Sequence, residues 1–179
     1  MRSIAVVEVD APREGVAERY IDPRNNEKWM TDLDRLDLLH GDPGMPGSAY
    51  RLISDQPHLN FVAEVVERRL PEMVRLQLDA PSLSVDIHVT FAALPGDRTR
   101  LRSTEVFRFK GLFGRAMSLF ARKSIHAAHL QQMNAFKSYA ERAHKGVRGL
   151  IGHDTPDAHH GFGVSWPMRP RTPLCARSA

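Results

Sequence analysis

The segment 82–93 constrains this chain more than any other. Leu83, Val85, Ile87, Val89 and Phe91 alternate with Ser84, Asp86, His88 and Thr90. A period of two is the mark of a strand with one buried and one wet face. The segment 99–109 alternates in the same way. Leu101, Phe107 and Phe109 share a face with Thr99, Ser103 and Glu105, while Arg98, Arg100, Arg102 and Arg108 take the other. The two segments join through Leu94-Pro95-Gly96-Asp97. A two-residue turn would set Val89 against Arg102 and Phe91 against Arg100, which puts guanidinium groups in the core. A one-residue shift of register exchanges the faces. The looser loop sets Phe91 against Leu101 and Ile87 against Glu105, and leaves Glu105 as the odd charge on the buried face.

The rest of the chain supplies the partners of this hairpin. Strand patterns recur at 4–9, 36–39, 50–53, 58–67 and 72–79. The dense turn signal Gly41-Asp42-Pro43-Gly44-Met45-Pro46-Gly47 precedes the strand at 50–53. Asp10 or Ala11 is expected to cap a short helix that carries Pro12 in its first turn. Asp22-Pro23 opens a second short helix, with Asp22 as N-cap, ending near Trp29-Met30. From Leu112 to Ala143, Phe113, Met117, Phe120, Ala121, Ile125, Ala128, Met133, Phe136, Ala140 and Ala143 recur at steps of three and four. A helix of that length spans about 48 Å, long enough to expect a bend or a frayed end. No parallel crossover unit is visible. The fold class is α+β: an antiparallel sheet of about seven strands with a long C-terminal helix across its one apolar face, and two short helices between the first two strands.

Length and charge divide at one point. The chain has 179 residues and a net charge of +4, which suits one domain with an extension. Residues 1–144 hold 20 basic and 19 acidic side chains; residues 145–179 hold 5 and 2, with five of the twelve glycines and four of the twelve prolines. The segment 145–179 has no sustained apolar period and is expected to be a basic, largely unfolded tail. The single cysteine, Cys175, permits no intrachain disulfide. Neither a signal-peptide core nor a membrane span is visible, so the expected location is cytoplasmic.

Several segments together resemble the SRPBCC superfamily, also called START-like or helix-grip, in its polyketide cyclase/dehydrase-like branch. They are Ala11-Pro12-Arg13-Glu14-Gly15-Val16, Asp22-Pro23 through Lys28-Trp29-Met30, Gly44-Met45-Pro46-Gly47-Ser48, Gly96-Asp97-Arg98-Thr99-Arg100-Leu101 and Asn134-Ala135-Phe136-Lys137-Ser138-Tyr139-Ala140-Glu141. The resemblance covers about residues 3–143. Gly15 departs from it, standing where the pattern carries a charged residue, and the basic tail lies outside it. The resemblance implies a curved sheet gripping the long helix around a hydrophobic cavity, which in members holds lipids or other apolar molecules or serves polyketide cyclisation and dehydration.

The expected ligand-binding residues are Trp29, Phe61, Val85, Ile87, Val89, Phe107, Met117 and Phe120. A large apolar side chain at such a position either packs a core or walls a pocket. Glu105 and His129 are the candidate proton-transfer residues. A carboxyl in an apolar cavity has a raised pKa, and His129 lies at the edge of the helix's apolar stripe. His126 and His129 are three apart, but no acid or cysteine at matching helical spacing supports a metal. No phosphate loop, GxSxG elbow, HExxH or CxxC pattern is present, and no cofactor is implied.

The leading expectation is therefore binding of an apolar small molecule, lipid or polyketide-like, in an internal cavity. A cyclase/dehydratase-like enzyme using Glu105 or His129 is the first alternative. The second is a protein or RNA interaction module that docks through the outer stripe Arg98, Arg100, Arg102 and Arg108 and the tail. No aromatics interleave that stripe, so it lacks a platform for stacked bases and nucleic acid is disfavoured.

Overall fold

The structure is a computed structural model that describes residues 1–30, 32–54, 60–111 and 122–151. In chain order the elements are β1 (Arg2–Val9), α1 (Arg13–Ile21), a 3-10 helix (Pro23–Lys28), β2 (Arg35–His40), β3 (Ala49–Ile53), β4 (Phe61–Arg69), β5 (Met73–Asp79), β6 (Leu83–Leu94), β7 (Arg98–Phe109) and α2 (Arg122–Ile151). The seven strands form one curved antiparallel sheet in the order β1-β7-β6-β5-β4-β3-β2.

The β6–β7 hairpin takes the register that keeps arginine out of the core. Phe91 pairs with Leu101 and Ile87 with Glu105. Three residues, Pro95, Gly96 and Asp97, connect Leu94 to its partner Arg98. Gly96 and Asp97 both have positive φ, 76° and 52°, which supplies the odd residue of the loop. On the inner face, rungs cross the sheet in order. Ser3 faces Glu105, which faces Ile87, which faces Leu76, which faces Val65. The next rung is Ala5, Ser103, Val89 and Val74.

The short helices differ in detail from expectation. Pro12 is itself the N-cap of α1, in extended conformation and with no side-chain cap bond. The ring fixes φ near the value the cap needs, and the missing N–H costs nothing there. Asp22 caps the next turn as expected: its Oδ1 accepts from the Arg24 N–H at 3.0 Å. That turn is a 3-10 helix of six residues. At Gly41, φ is +82° and a Cβ would come within 2.6 Å of the Ser48 backbone, so the turn before β3 requires glycine.

The long helix reaches Ile151, beyond Ala143 and beyond residue 144 where the charge balance changes. Its expected first ten residues, 112–121, lie outside the described residues, as does the segment 152–179. Met133, Phe136 and Ala140 of α2 are fully buried against the sheet and α1. Tyr20 of α1 stands edge-on to Phe136 at 5.1 Å and to Phe91 at 5.8 Å. Two polar ties lock the sheet to the segment before α1 and to α2. Thr99 Oγ1 donates to the Ala11 carbonyl at 2.7 Å, and Lys137 Nζ donates to the Glu8 carbonyl.

Candidate functional site: an apolar cavity with one buried acid

The sheet and α2 do not close on each other along their whole length. Between them lies a cavity of about 420 Å³, within the range of small-molecule pockets. Strand parity builds its floor: Phe61, Leu76, Leu78, Leu83, Val85, Ile87 and Phe107 all project inward from neighbouring strands. Ile125, Ala128, His129, Gln132 and Met133 form the roof, spaced along one stripe of α2. Tyr20 and Trp29 close one end. Trp29 stacks on Tyr20 at 5.6 Å and stands edge-on to Phe136 at 5.2 Å. Its indole N–H has no hydrogen-bond acceptor among the described residues.

Of the expected ligand-binding residues, Trp29, Phe61, Val85, Ile87 and Phe107 line this cavity. Val89 does not. It is on the inner face but fully buried, between Val74 and Ser103, one rung further toward the packed end. Met117 and Phe120 lie outside the described residues. The floor residues Leu76 and Leu78, absent from the expected set, are the direct partners of Ile87 and Val85. Their signal was the parity of β5 read through the register of β6.

Glu105 lies inside, 8% exposed, on the rung between Ser3 and Ile87. Burial pushes its carboxyl pKa up from 4.5 to about 7. His129 hangs over it from α2, with Nε2 3.4 Å from Oε1 of Glu105. Burial, reinforced by the neighbouring His126, pushes the His129 imidazole down from 6.5 to about 4. Both shifts favour the uncharged forms, so between about pH 4 and 7 the contact joins a neutral acid to a neutral base.

The ring of His129 is held from both sides. Its Nδ1 lies 2.9 Å from Ser3 Oγ, and its Nε2 lies 2.9 Å from Ser103 Oγ. Ser3 Oγ also reaches Nδ1 of His126 at 3.2 Å. The two serines come from adjacent strands, β1 and β7, so sheet pairing sets the orientation of the imidazole. Tyr50, another wall residue, has its hydroxyl engaged by the Gly44 N–H at 2.7 Å.

Two other features hold ionic groups and are built differently. A depression of about 470 Å³ on the outside is lined by Glu18, Asp22, Arg24, Glu27 and Arg68. Four of these five charges pair with one another, Arg24 with Asp22 at 2.8 Å and Arg68 with Glu18 at 3.3 Å. On the outer sheet face Arg98 and Arg100 both pair with Glu8, at 3.2 and 3.0 Å. The single carboxylate of Glu8 on the neighbouring strand thus holds two of the stripe's four arginines and offsets one of its positive charges. His88 is exposed on the same face. No helix among the described residues is long and apolar enough to cross a membrane.

A sheet gripping a long helix around a hollow with an apolar wall defines the helix-grip, START-like class. The chain belongs to the polyketide cyclase/dehydrase and lipid transport family, whose model matches residues 2–141. None of the curated proteins compared matches it. Solved structures share the fold at low identity. A protein from Thermus thermophilus is 13% identical with a TM-score of 0.64, over 80% of this chain and 99% of that one. A START superfamily protein from Mycobacterium smegmatis is 16% identical with a TM-score of 0.62, over 79% and 98%. A protein from the dynemicin biosynthetic locus is 16% identical with a TM-score of 0.60, over 80% of this chain and 48% of that one.

Proposed function

We propose that the chain binds an apolar small molecule, lipid or polyketide-like, in the cavity between the sheet and α2. One observation carries this reading: a volume of about 420 Å³ walled mainly by aliphatic and aromatic side chains inside a folded domain. Such a hollow loses the dispersion contacts a packed core would have, and a guest restores them. Native mass spectrometry of the protein as purified, with thermal shift against a panel of lipids and polyketides, tests it. The expected result is a co-purifying mass or a stabilisation that saturates with ligand. Absence of both removes the reading.

The position of Glu105 favours a second reading, catalysis of cyclisation or dehydration by proton transfer. A carboxyl whose pKa sits near 7 can give and take a proton at neutral pH. Its place on the cavity wall puts that proton within reach of an enclosed substrate. In this reading Glu105 protonates a departing hydroxyl or removes a proton beside a carbonyl, and His129 orients the carboxyl. Glu105→Gln would then abolish turnover while leaving binding within a few-fold. Equal loss of both would support binding alone.

A further inference from the structure

The cavity carries its buried acid at one place, and the sign of the surrounding charge is legible there. Every element packed around Glu105 contributes a neutral group. Strand β1 offers Ser3, β6 offers Ile87, α2 offers His129, and α1 offers the neutral phenol of Tyr20, which interacts electrostatically with Glu105. The four arginines of β7 alternate away from it, onto the outer face. Among the described lining residues of the cavity there is no lysine and no arginine, while the wall includes Asn26, Gln132 and the carboxylates Glu64 and Glu105. Glu64 is exposed; Glu105 is the buried one.

Hydrogen-bond capacity singles out the same residue. His129 has two ring nitrogens, and each already faces a serine hydroxyl at 2.9 Å. Its capacity is filled within the protein. Glu105 meets His129 only at 3.4 Å, too long for a strong hydrogen bond. Its carboxyl is thus a buried acid with unused capacity on the cavity wall, and the Trp29 indole N–H at the end of the cavity is a second buried group without a partner among the described residues.

We propose that Glu105 is the anchor for the ligand's polar end, and that the cavity selects an apolar molecule bearing an uncharged oxygen group, a ketone or hydroxyl. Carboxylates, fatty acids included, are rejected. This rests on the cavity being a binding site and adds the class of guest. A ketone or hydroxyl oxygen placed at Glu105 accepts from the protonated carboxyl. A carboxylate placed there would be a second acidic group in an apolar wall with no cation beside it, and buried charge without a partner is strongly disfavoured. His129 acts through Glu105, as a positioning residue.

Calorimetric titration of the full chain at pH 6 with three probes of one shape tests this: 2-ethylnaphthalene, 2-acetylnaphthalene and 2-naphthoate. The ethyl compound reports the apolar cavity alone. The acetyl compound is expected to bind about fivefold tighter than the ethyl compound, the effect of one net hydrogen bond. Naphthoate is expected to bind at least about tenfold weaker than the acetyl compound. Glu105→Leu should erase the acetyl advantage and leave ethyl binding in place. Glu105→Gln, a closer isostere, should keep part of the advantage, and serves if the leucine variant does not fold. Naphthoate binding as tightly as the ketone, or an acetyl advantage that survives Glu105→Leu, overturns the proposal while the binding site stands. Failure of 2-ethylnaphthalene to bind removes the cavity reading itself, and this proposal with it.

Discussion

The same sheet and the same helix make two different interiors at their two ends. At one end Val9, Val16, Leu101 and Phe136 have no exposed surface, Tyr20 and Trp29 close around Phe136, and Phe91 stands edge-on to Tyr20. At the other end Phe61, Leu78, Leu83 and Phe107 face inward with their surfaces only partly covered. The contrast follows from what α2 sends down onto the sheet. Phe136 fills the space beneath it, while Ala128, two turns earlier, fills almost none. Tyr20 and Trp29 belong to both interiors, as the plug of one and the end wall of the other. Packing is therefore concentrated at the plugged end, and the hollow end is where the proposed guest would make its contacts.

The largest test of that contrast is a pair of truncations. Phe136→Ala should cost about 3–5 kcal/mol and Phe107→Ala about 1 kcal/mol, because a cavity already lies beside Phe107. Urea unfolding midpoints measure both, and equal losses would erase the distinction between the ends. The next test uses pH. Glu105 has a raised folded pKa, so its stabilisation is complete below about pH 4.5 and is lost as pH rises toward 7. The interval from 4.5 to about 7 corresponds to a loss of about 3 kcal/mol. His129 has a depressed folded pKa, so its stabilisation is present above about pH 6.5 and is lost as pH falls toward 4. The two slopes oppose each other between about pH 4.5 and 6.5, and the native chain should show little net dependence there. His129→Asn should expose a stability that falls with rising pH, and Glu105→Gln one that rises. Parallel slopes in the two variants would show that the pair does not fold as a neutral acid and a neutral base.

A smaller effect belongs to the plugged end alone. Thr99→Val leaves the buried Ala11 carbonyl without its partner and should cost about 1–2 kcal/mol. Thermal unfolding should register the loss with the cavity's ligand affinity unchanged. A change in affinity would mean that the two ends communicate.

How much of this was legible beforehand depends on the kind of information needed. The hairpin register followed from one consideration, that arginine does not belong in a core, and it placed Glu105 correctly on the inner face. The seven strands and the Asp22 cap were equally readable, because alternation and capping are local, while the helix-grip class came from the resemblance of whole segments to a family. Val89 shows where local information ends. Parity says which face a residue takes; it does not say where along the strand the helix lifts off the sheet. Ser3 was invisible for a related reason. A serine alternating with Ala5, Val7 and Val9 reads as an ordinary strand position until β1 is paired with β7 and α2 is laid across both. The helix passed its expected end because charge composition changes at residue 144 while backbone hydrogen bonding continues to Ile151.

Ala128 lines both the cavity and a groove of about 210 Å³ that shares Met30, Leu52, Phe61, Leu78 and Gln132 with it. The alanine is solvent-exposed, so under the proposed binding function it stands where a guest would pass between the two. A larger side chain at a threshold raises the barrier for arrival and departure alike. Ala128→Leu should therefore slow both rate constants by a similar factor and leave their ratio nearly fixed, a result stopped-flow exchange can read. On the proposed function, how long a guest stays and how tightly it is held would be set at different residues of the same wall.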